Sequence, residues 1–312
     1  MKETTRIQIE AMKAQTFGCE VEMNSIKRQA AAKAAAEFFG TGRYEEKYDA
    51  YYTWSAYDAQ GREWKFSRDS SIHGLDSEKT ELVTPVLHYE DMETLQELIR
   101  VLRKAGAKSS PSRGCGVHIH IGGDNHTPQT IRNLVNLMAS HEKQLIKAIE
   151  IAGSRLDTYC QPVEPRFLAA INEKKPATNE ALADIWYTAH GDSWNRTQHY
   201  NSSRYHMLNL HAYFNRYHTI EFRCFNFDEP TADRKGGLHA GQLKAMIQLC
   251  LAMSQLAKQS RTISAKPQQT ENEAYAFRCW MLRLGFIGDE FKTAREYFMR
   301  NFEGNAAWRY AA

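Results

Sequence analysis

Strict alternation is the feature that most limits how this chain can fold. In Phe17-Gly18-Cys19-Glu20-Val21-Glu22-Met23, Val117-His118-Ile119-His120-Ile121 and Thr219-Ile220-Glu221-Phe222-Arg223-Cys224-Phe225, apolar residues take one parity and ionisable residues the other. A period of two belongs to a strand, where residues i and i+2 share a face. Each segment is therefore predicted to bury one face and to project a pair from the other: Glu20 with Glu22, His118 with His120, Glu221 with Arg223. Glu81, in Thr80-Glu81-Leu82-Val83-Thr84-Pro85, adds a carboxylate on a fourth short strand, where it would share a face with Val83 and lie on an apolar side if that strand is central. Two glutamates within about 7 Å on one face repel unless water, a cation or a positive neighbour compensates. Several such strands in one sheet could build a polyanionic cup suited to a divalent metal and phosphate, so an enzyme is the first expectation.

The remaining periodicities place helices around that sheet. An Ala- and Lys-rich run over 25–39 is predicted helical and stopped by Gly40. The stripe Met92, Leu95, Ile99, Leu102 predicts a helix over 91–104, and Thr127-Pro128 opens a longer one carrying Ile131, Leu134, Val135, Met138, Leu145 and Ile149. Aromatic alternation over 51–66 around Asp58-Ala59-Gln60-Gly61 predicts a hairpin. Strands over 205–212 and 219–226 are expected to join through a turn at Asn215-Arg216, followed by an apolar helix from about 238 to 258, a polar linker over 259–272 and a helical end. Hairpin-joined strands interrupted by helices suggest an α+β fold, an antiparallel sheet with helices packed on one side. With no internal repeat and no clear linker, residues 1–312 are expected to form a single domain.

Composition narrows the function classes. A chain of 312 residues with 42% apolar and 25% charged residues can bury a sizeable core. A net charge of +3 with dispersed Lys and Arg gives no nucleic-acid surface. A polar start and no stretch near the roughly 20 apolar residues of a membrane span lead to the expectation of a cytoplasmic protein. Six cysteines without CxxC spacing read as reduced, mostly buried thiols.

Several familiar chemistries find no motif. His141-Glu142-Lys143-Gln144-Leu145 lacks the second histidine of HExxH, and no GxxxxGK[ST], GxGxxG or GxSxG sequence is present. Other candidates carry ordinary structural readings: a turn cap for Asp69, a surface ion pair for Glu221 and Arg223, a solvated edge position for Arg204, and core packing for Tyr51, Tyr52, Trp54 and Trp64, which could otherwise line an acceptor groove.

In sequence order, the ExE strand, Asp69-Ser70-Ser71, Glu81-Leu82-Val83-Thr84-Pro85, Gly116-Val117-His118-Ile119-His120, Arg204-Tyr205-His206-Met207-Leu208-Asn209-Leu210 and Thr219-Ile220-Glu221-Phe222-Arg223 resemble the amidoligase family. These are carboxylate–amine ligases similar in their catalytic sheet to glutamine synthetase and glutamate–cysteine ligase. The resemblance covers core motifs over 17–227, with a helical C-terminal part over about 236–312. One departure is Asn226-Phe227-Asp228, where the family pattern has an Asn-Gly-Thr-like ending.

The resemblance implies a glutamine-synthetase-like sheet and ATP-dependent amide formation through an acyl phosphate, with Mg²⁺ or Mn²⁺. It implies Glu20, Glu22, Glu81, His118 and Glu221 as metal ligands, His120 beside the nucleotide and Arg223 on phosphate, with Arg204 and Asp69 as further catalytic candidates. The partners it implies are a carboxylate and an amine, drawn from amino acids, peptides, cell-wall fragments or proteins. The alternative is a metal-dependent hydrolase that uses the same carboxylates and imidazoles without ATP.

Overall fold

The computed structural model describes residues 2–215 and 217–308. Among them are eight strands: β1 (Phe17–Met23), β2 (Tyr44–Glu46), β3 (Trp54–Tyr57), β4 (Glu63–Ser67), β5 (Thr80–Val83), β6 (Val117–Gly122), β7 (Leu208–Asn209) and β8 (Thr219–Phe225). The pairings β1·β5, β2·β3, β3·β4, β4·β5 and β7·β8 are antiparallel, and with the intervening helices they make an α+β fold. By contact density the chain divides into two compact units interleaved in sequence. The first holds Thr16–Ile119 and Phe225–Lys244; the second holds Met1–Gln15, His120–Cys224 and Ala245–Ala312. No helix among the described residues is long and apolar enough to cross a membrane.

In the first unit the strand order is β2-β3-β4-β5-β1, continued by the opening residues of β6, and the Glu22 amide donates to the carbonyl of Gly116, just before β6. The alternation read from the sequence decides which side is dry. Phe17, Cys19, Val21 and Met23 of β1, Trp64 and Phe66 of β4, and Leu82 of β5 are all buried. Helix Arg28–Phe38 packs on β3 and β4 through Ala31, Ala32, Ala35 and Ala36, whose small side chains permit close approach, and it also meets helix Met92–Lys104. The hairpin turns on Asp58, whose carboxylate accepts from the Gln60 and Arg62 amides and from the Trp64 indole. Arg62 bridges Asp58 to Asp91 and so ties the hairpin to the 3₁₀ turn that precedes helix Met92–Lys104.

The second unit pairs β7 with β8 and carries helices Glu3–Lys13, Pro128–Ile149, Gly153–Thr158, Pro165–Lys174, Asn179–His190, Glu273–Arg283 and Lys292–Met299. One expectation is corrected here. Of the strand predicted over 205–212 only Leu208–Asn209 forms one, with an isolated bridge from His206 to Gln161 before it; the Asn209 side chain then accepts from the His211 amide and a short helix, His211–Phe214, follows. Of the turn expected at Asn215-Arg216, Arg216 lies outside the described residues.

This unit also holds histidines that burial keeps neutral, His126, His141 and His190 most strongly. His126 is pushed down to about 3, and His141 and His190 to about 4. The unfolded chain takes up these protons near the ordinary value of about 6.5, so it binds more protons than the fold below that pH. Stability from this source is complete above pH 6.5 and falls as pH drops toward 4. Urea unfolding at pH 7, 5.5 and 4 should show a falling midpoint. His141→Phe, which keeps the ring stacked 4.3 Å from Trp280, should shrink that fall. An identical pH dependence in the variant would contradict the assignment.

Candidate functional site

In the first unit, register brings the predicted carboxylates face to face. Glu22 on β1 pairs directly with Glu81 on β5, and Glu20 with Val83. His118 on β6 completes the group: its Nδ1 lies 2.8 Å from Glu20 Oε2 and its Nε2 lies 3.8 Å from Glu22 Oε1. One ligand atom each from Glu22, Glu81 and His118 falls within 4.8 Å of the others. Glu22 is only 4% exposed, and its Oε2 accepts from the Gly116 amide at 2.5 Å.

The chemistry of this donor set fits a hard divalent cation. Two carboxylates directly opposite one another repel, and an oxygen-rich set with one imidazole suits Mg²⁺ or Mn²⁺. The face shared by Glu81 and Val83 is not the apolar side expected from the sequence. Thr80 and Leu82 are the buried residues of β5, while Val83 is half-buried between Glu20 and Lys65 in the cross-strand row.

In the second unit, β8 presents Glu221 and Arg223, which are 2% and 5% exposed. They form a buried ion pair rather than the surface pair of the ordinary reading. Asn209, paired with Glu221 in the β7·β8 register, donates to Glu221 Oε2 at 2.5 Å. His120 lies with its Nε2 3.9 Å from Glu221 Oε1 and its Nδ1 3.1 Å from Thr219 Oγ1. Beyond the end of β7, Arg155 of helix Gly153–Thr158 donates to the Arg223 carbonyl at 3.1 Å, and Arg223 Nε donates to the Tyr159 carbonyl at 3.5 Å. Arg204 sits with its guanidinium carbon 5.9 Å from the Tyr205 ring centre, a ring that Arg223 approaches to 5.8 Å.

The other candidates divide. Asp69 forms an Asx turn, accepting from the Ser71 amide at 2.7 Å and the Ser71 hydroxyl at 2.6 Å. Of the four aromatics, Trp64 is core, Trp54 is half-buried 5.9 Å from Tyr44, and Tyr51 and Tyr52 are exposed. The six cysteines are free thiols, five of them buried. Burial pushes Cys115 up to about 12 and raises Cys19, Cys160 and Cys224 as well, which suits packing rather than nucleophilic attack. Arg155 and Asn209 were not singled out from the sequence. Arg155 stands in a polar stretch without periodicity, whereas Asn209, in phase with His211 and one residue short of Leu210, carried a signal that could have been read.

The family comparison supplies the deciding observation. The model of a family described as "putative amidoligase enzyme" matches residues 13–254, which hold all eight strands. The chain belongs to the amidoligase family. This agrees with the resemblance carried by the ordered motifs. No curated protein matches this amidoligase in sequence. Among solved structures it is similar to the crystal structure of a bifunctional glutathione synthetase from Pasteurella multocida, at 13% identity and a TM-score of 0.48, over 96% of this chain and 49% of that one. The amidoligase thus spans about half the length of that protein.

Proposed function

We propose that this amidoligase joins a carboxylate to an amine at the expense of ATP, through an acyl phosphate that the amine displaces. The observation that carries the reading is the Glu22–Glu81–His118 group, whose paired acids and imidazole form a hard-cation donor set on one face of a sheet. Glu22, Glu81 and His118 would hold Mg²⁺ or Mn²⁺, with Glu20 orienting the His118 ring through Nδ1. A bound divalent cation supplies charge neutralisation for a transferring phosphoryl group.

The chain's own residues do the rest. Arg223, fixed by Glu221 and the Tyr159 carbonyl, would offer a planar fork for a phosphate oxygen, and His120, whose Nε2 lies 3.9 Å from Glu221 Oε1, would stand beside the nucleotide. Arg204 adds a second cation, and Asp69 holds the turn after β4. The carboxylate and amine belong to the class of amino acids, peptides, cell-wall fragments or protein side chains.

Hydroxylamine offers a test that needs no knowledge of the natural amine, because it captures acyl phosphates as hydroxamates. With Mg·ATP and a panel of amino-acid and peptide carboxylates, ADP release should match hydroxamate formation one to one, and both should stop when EDTA removes the metal. Hydroxamate or hydrolysis product formed at an undiminished rate without ATP would overturn the ligase reading and favour a metal-dependent hydrolase.

A further inference from the structure

The sheet face that carries the Glu22–Glu81–His118 group continues into a cleft of about 480 Å³, all of it within the first unit. Val83 stands opposite Glu20 on one side and Lys65 on the other, and directly opposed residues share a face. At about 4.8 Å per strand, the backbone of Lys65 lies about 10 Å from that of Glu20, whose carboxylate meets the His118 ring. Val83 puts an uncharged step between the two.

One wall of the cleft is apolar and preformed. Val83, Pro85 and Val86 line it, and Val86 is 67% exposed. Backbone hydrogen bonds hold this segment at both ends: the Thr84 amide donates to the Cys19 carbonyl at 3.0 Å, and Leu87 exchanges two bonds with Phe17, at 2.7 and 2.9 Å. A wall fixed before a ligand arrives needs little ordering when one binds.

The other wall carries charge, and its members differ in what they can still bind. Arg62 directs its donors to Asp58 and Asp91. Glu63 accepts from the Ser55 hydroxyl at 2.8 Å and lies 3.2 Å from Lys47 Nζ. Lys65 is half-exposed, and the ion pair it makes among the described residues, with Glu63 at 3.6 Å, is too long for a hydrogen bond. Its ammonium therefore brings three donors to the cleft, beside apolar surface that limits competition from water. A short aliphatic chain laid on Val83 and Pro85 matches the wall, with a carboxylate at one end toward the metal group and a second anion at the other against Lys65. A monocarboxylate leaves Lys65 without that partner.

We propose that this cleft holds the carboxylate substrate and that Lys65 selects one bearing a second carboxylate. The proposal rests on the ligase reading for the fate of the first carboxylate, and it narrows the substrate to dicarboxylic compounds.

The test runs the hydroxylamine assay on the full chain with Mg·ATP, comparing succinate, glutarate and adipate with the monocarboxylates of equal length. Wild-type protein should favour the best diacid over its monoacid by at least about tenfold in kcat/KM, the worth of one charge-assisted contact. Lys65→Met should erase that preference through KM, and Lys65→Arg should restore most of it. Equal use of both acids by wild type, or a preference that survives in Lys65→Met, would overturn the proposal.

Glutarate binding followed by calorimetry in Mg²⁺ without ATP separates this result from the ligase reading. Glutarate that binds at least about tenfold more weakly to Lys65→Met than to wild type, with no ADP released from any carboxylate, keeps the cleft and loses the ligase assignment. Hydroxamate formed from monoacids as readily as from diacids keeps the ligase assignment and loses the cleft. Protein that neither binds glutarate nor turns over loses both.

Discussion

Glu22→Gln is expected to lower ATP-dependent turnover more than about a hundredfold while the protein keeps its fold. The size follows from position. A group that only supports a metal ligand costs about 10- to 100-fold when removed, and Glu22 is placed to be a ligand itself, opposite Glu81 and beside His118. Glutamine retains an oxygen that can accept from the Gly116 amide, so the β1–β6 hydrogen bonding has no reason to fail. Removing one of two opposed charges also relieves repulsion in metal-free protein. The variant should therefore melt no lower than wild type in EDTA.

The difference should appear when metal is added. Wild type at a Mn²⁺ concentration a hundred times its dissociation constant gains about 2.7 kcal/mol of stability, and Glu22→Gln should gain little. Differential scanning calorimetry with and without Mn²⁺ reads both effects together. A variant that Mn²⁺ stabilises as strongly as wild type would remove Glu22 from the metal group.

How much of this arrangement could be read from the sequence depends on how local its cause is. The side from which Glu20, Glu22, His118, Glu221 and Arg223 project is fixed by alternation within seven residues, and β1 and β8 occupy the very stretches where the alternation runs. The helices over 28–38, 92–104 and 128–149 were equally legible, since each has a local signal: an Ala-rich run stopped by Gly40, a stripe from Met92 to Leu102, and Thr127-Pro128 at the start of the third.

What required coordinates was pairing between distant segments. Nothing near Glu81 in sequence says that Glu22 will stand opposite it, 59 positions away, or that Glu20 and Lys65 will flank Val83. The apolar-face expectation for Glu81 failed for that reason. Strand β7 was overestimated because hydrophobic pattern outweighed a single side chain, Asn209, that redirects the backbone. Arg155 left no trace in the sequence: its importance comes from burial against the Arg223 carbonyl, which is a tertiary fact.

Glu221→Ala should be the most destabilising single change in the second unit's site, costing about 3–5 kcal/mol, the usual penalty for breaking a buried ion pair from one side. Two losses combine. Arg223, 5% exposed, keeps its charge without the carboxylate that faces it, and the Asn209 amide loses its acceptor. Against a typical total of about 5–15 kcal/mol, such a change approaches unfolding, so lost activity in this variant alone would say nothing about chemistry. The double variant Glu221→Gln with Arg223→Met separates the two roles. It removes both charges, preserves an acceptor for Asn209, and fills the arginine's volume with an unbranched apolar chain. Replacing both partners of a buried pair is often neutral or stabilising, so urea unfolding should recover most of the stability lost in Glu221→Ala. Activity should stay absent, because no fork remains on β8 to meet a phosphate oxygen. Recovery of turnover together with stability would show that this pair serves only the fold, and would take Arg223 out of the proposed mechanism.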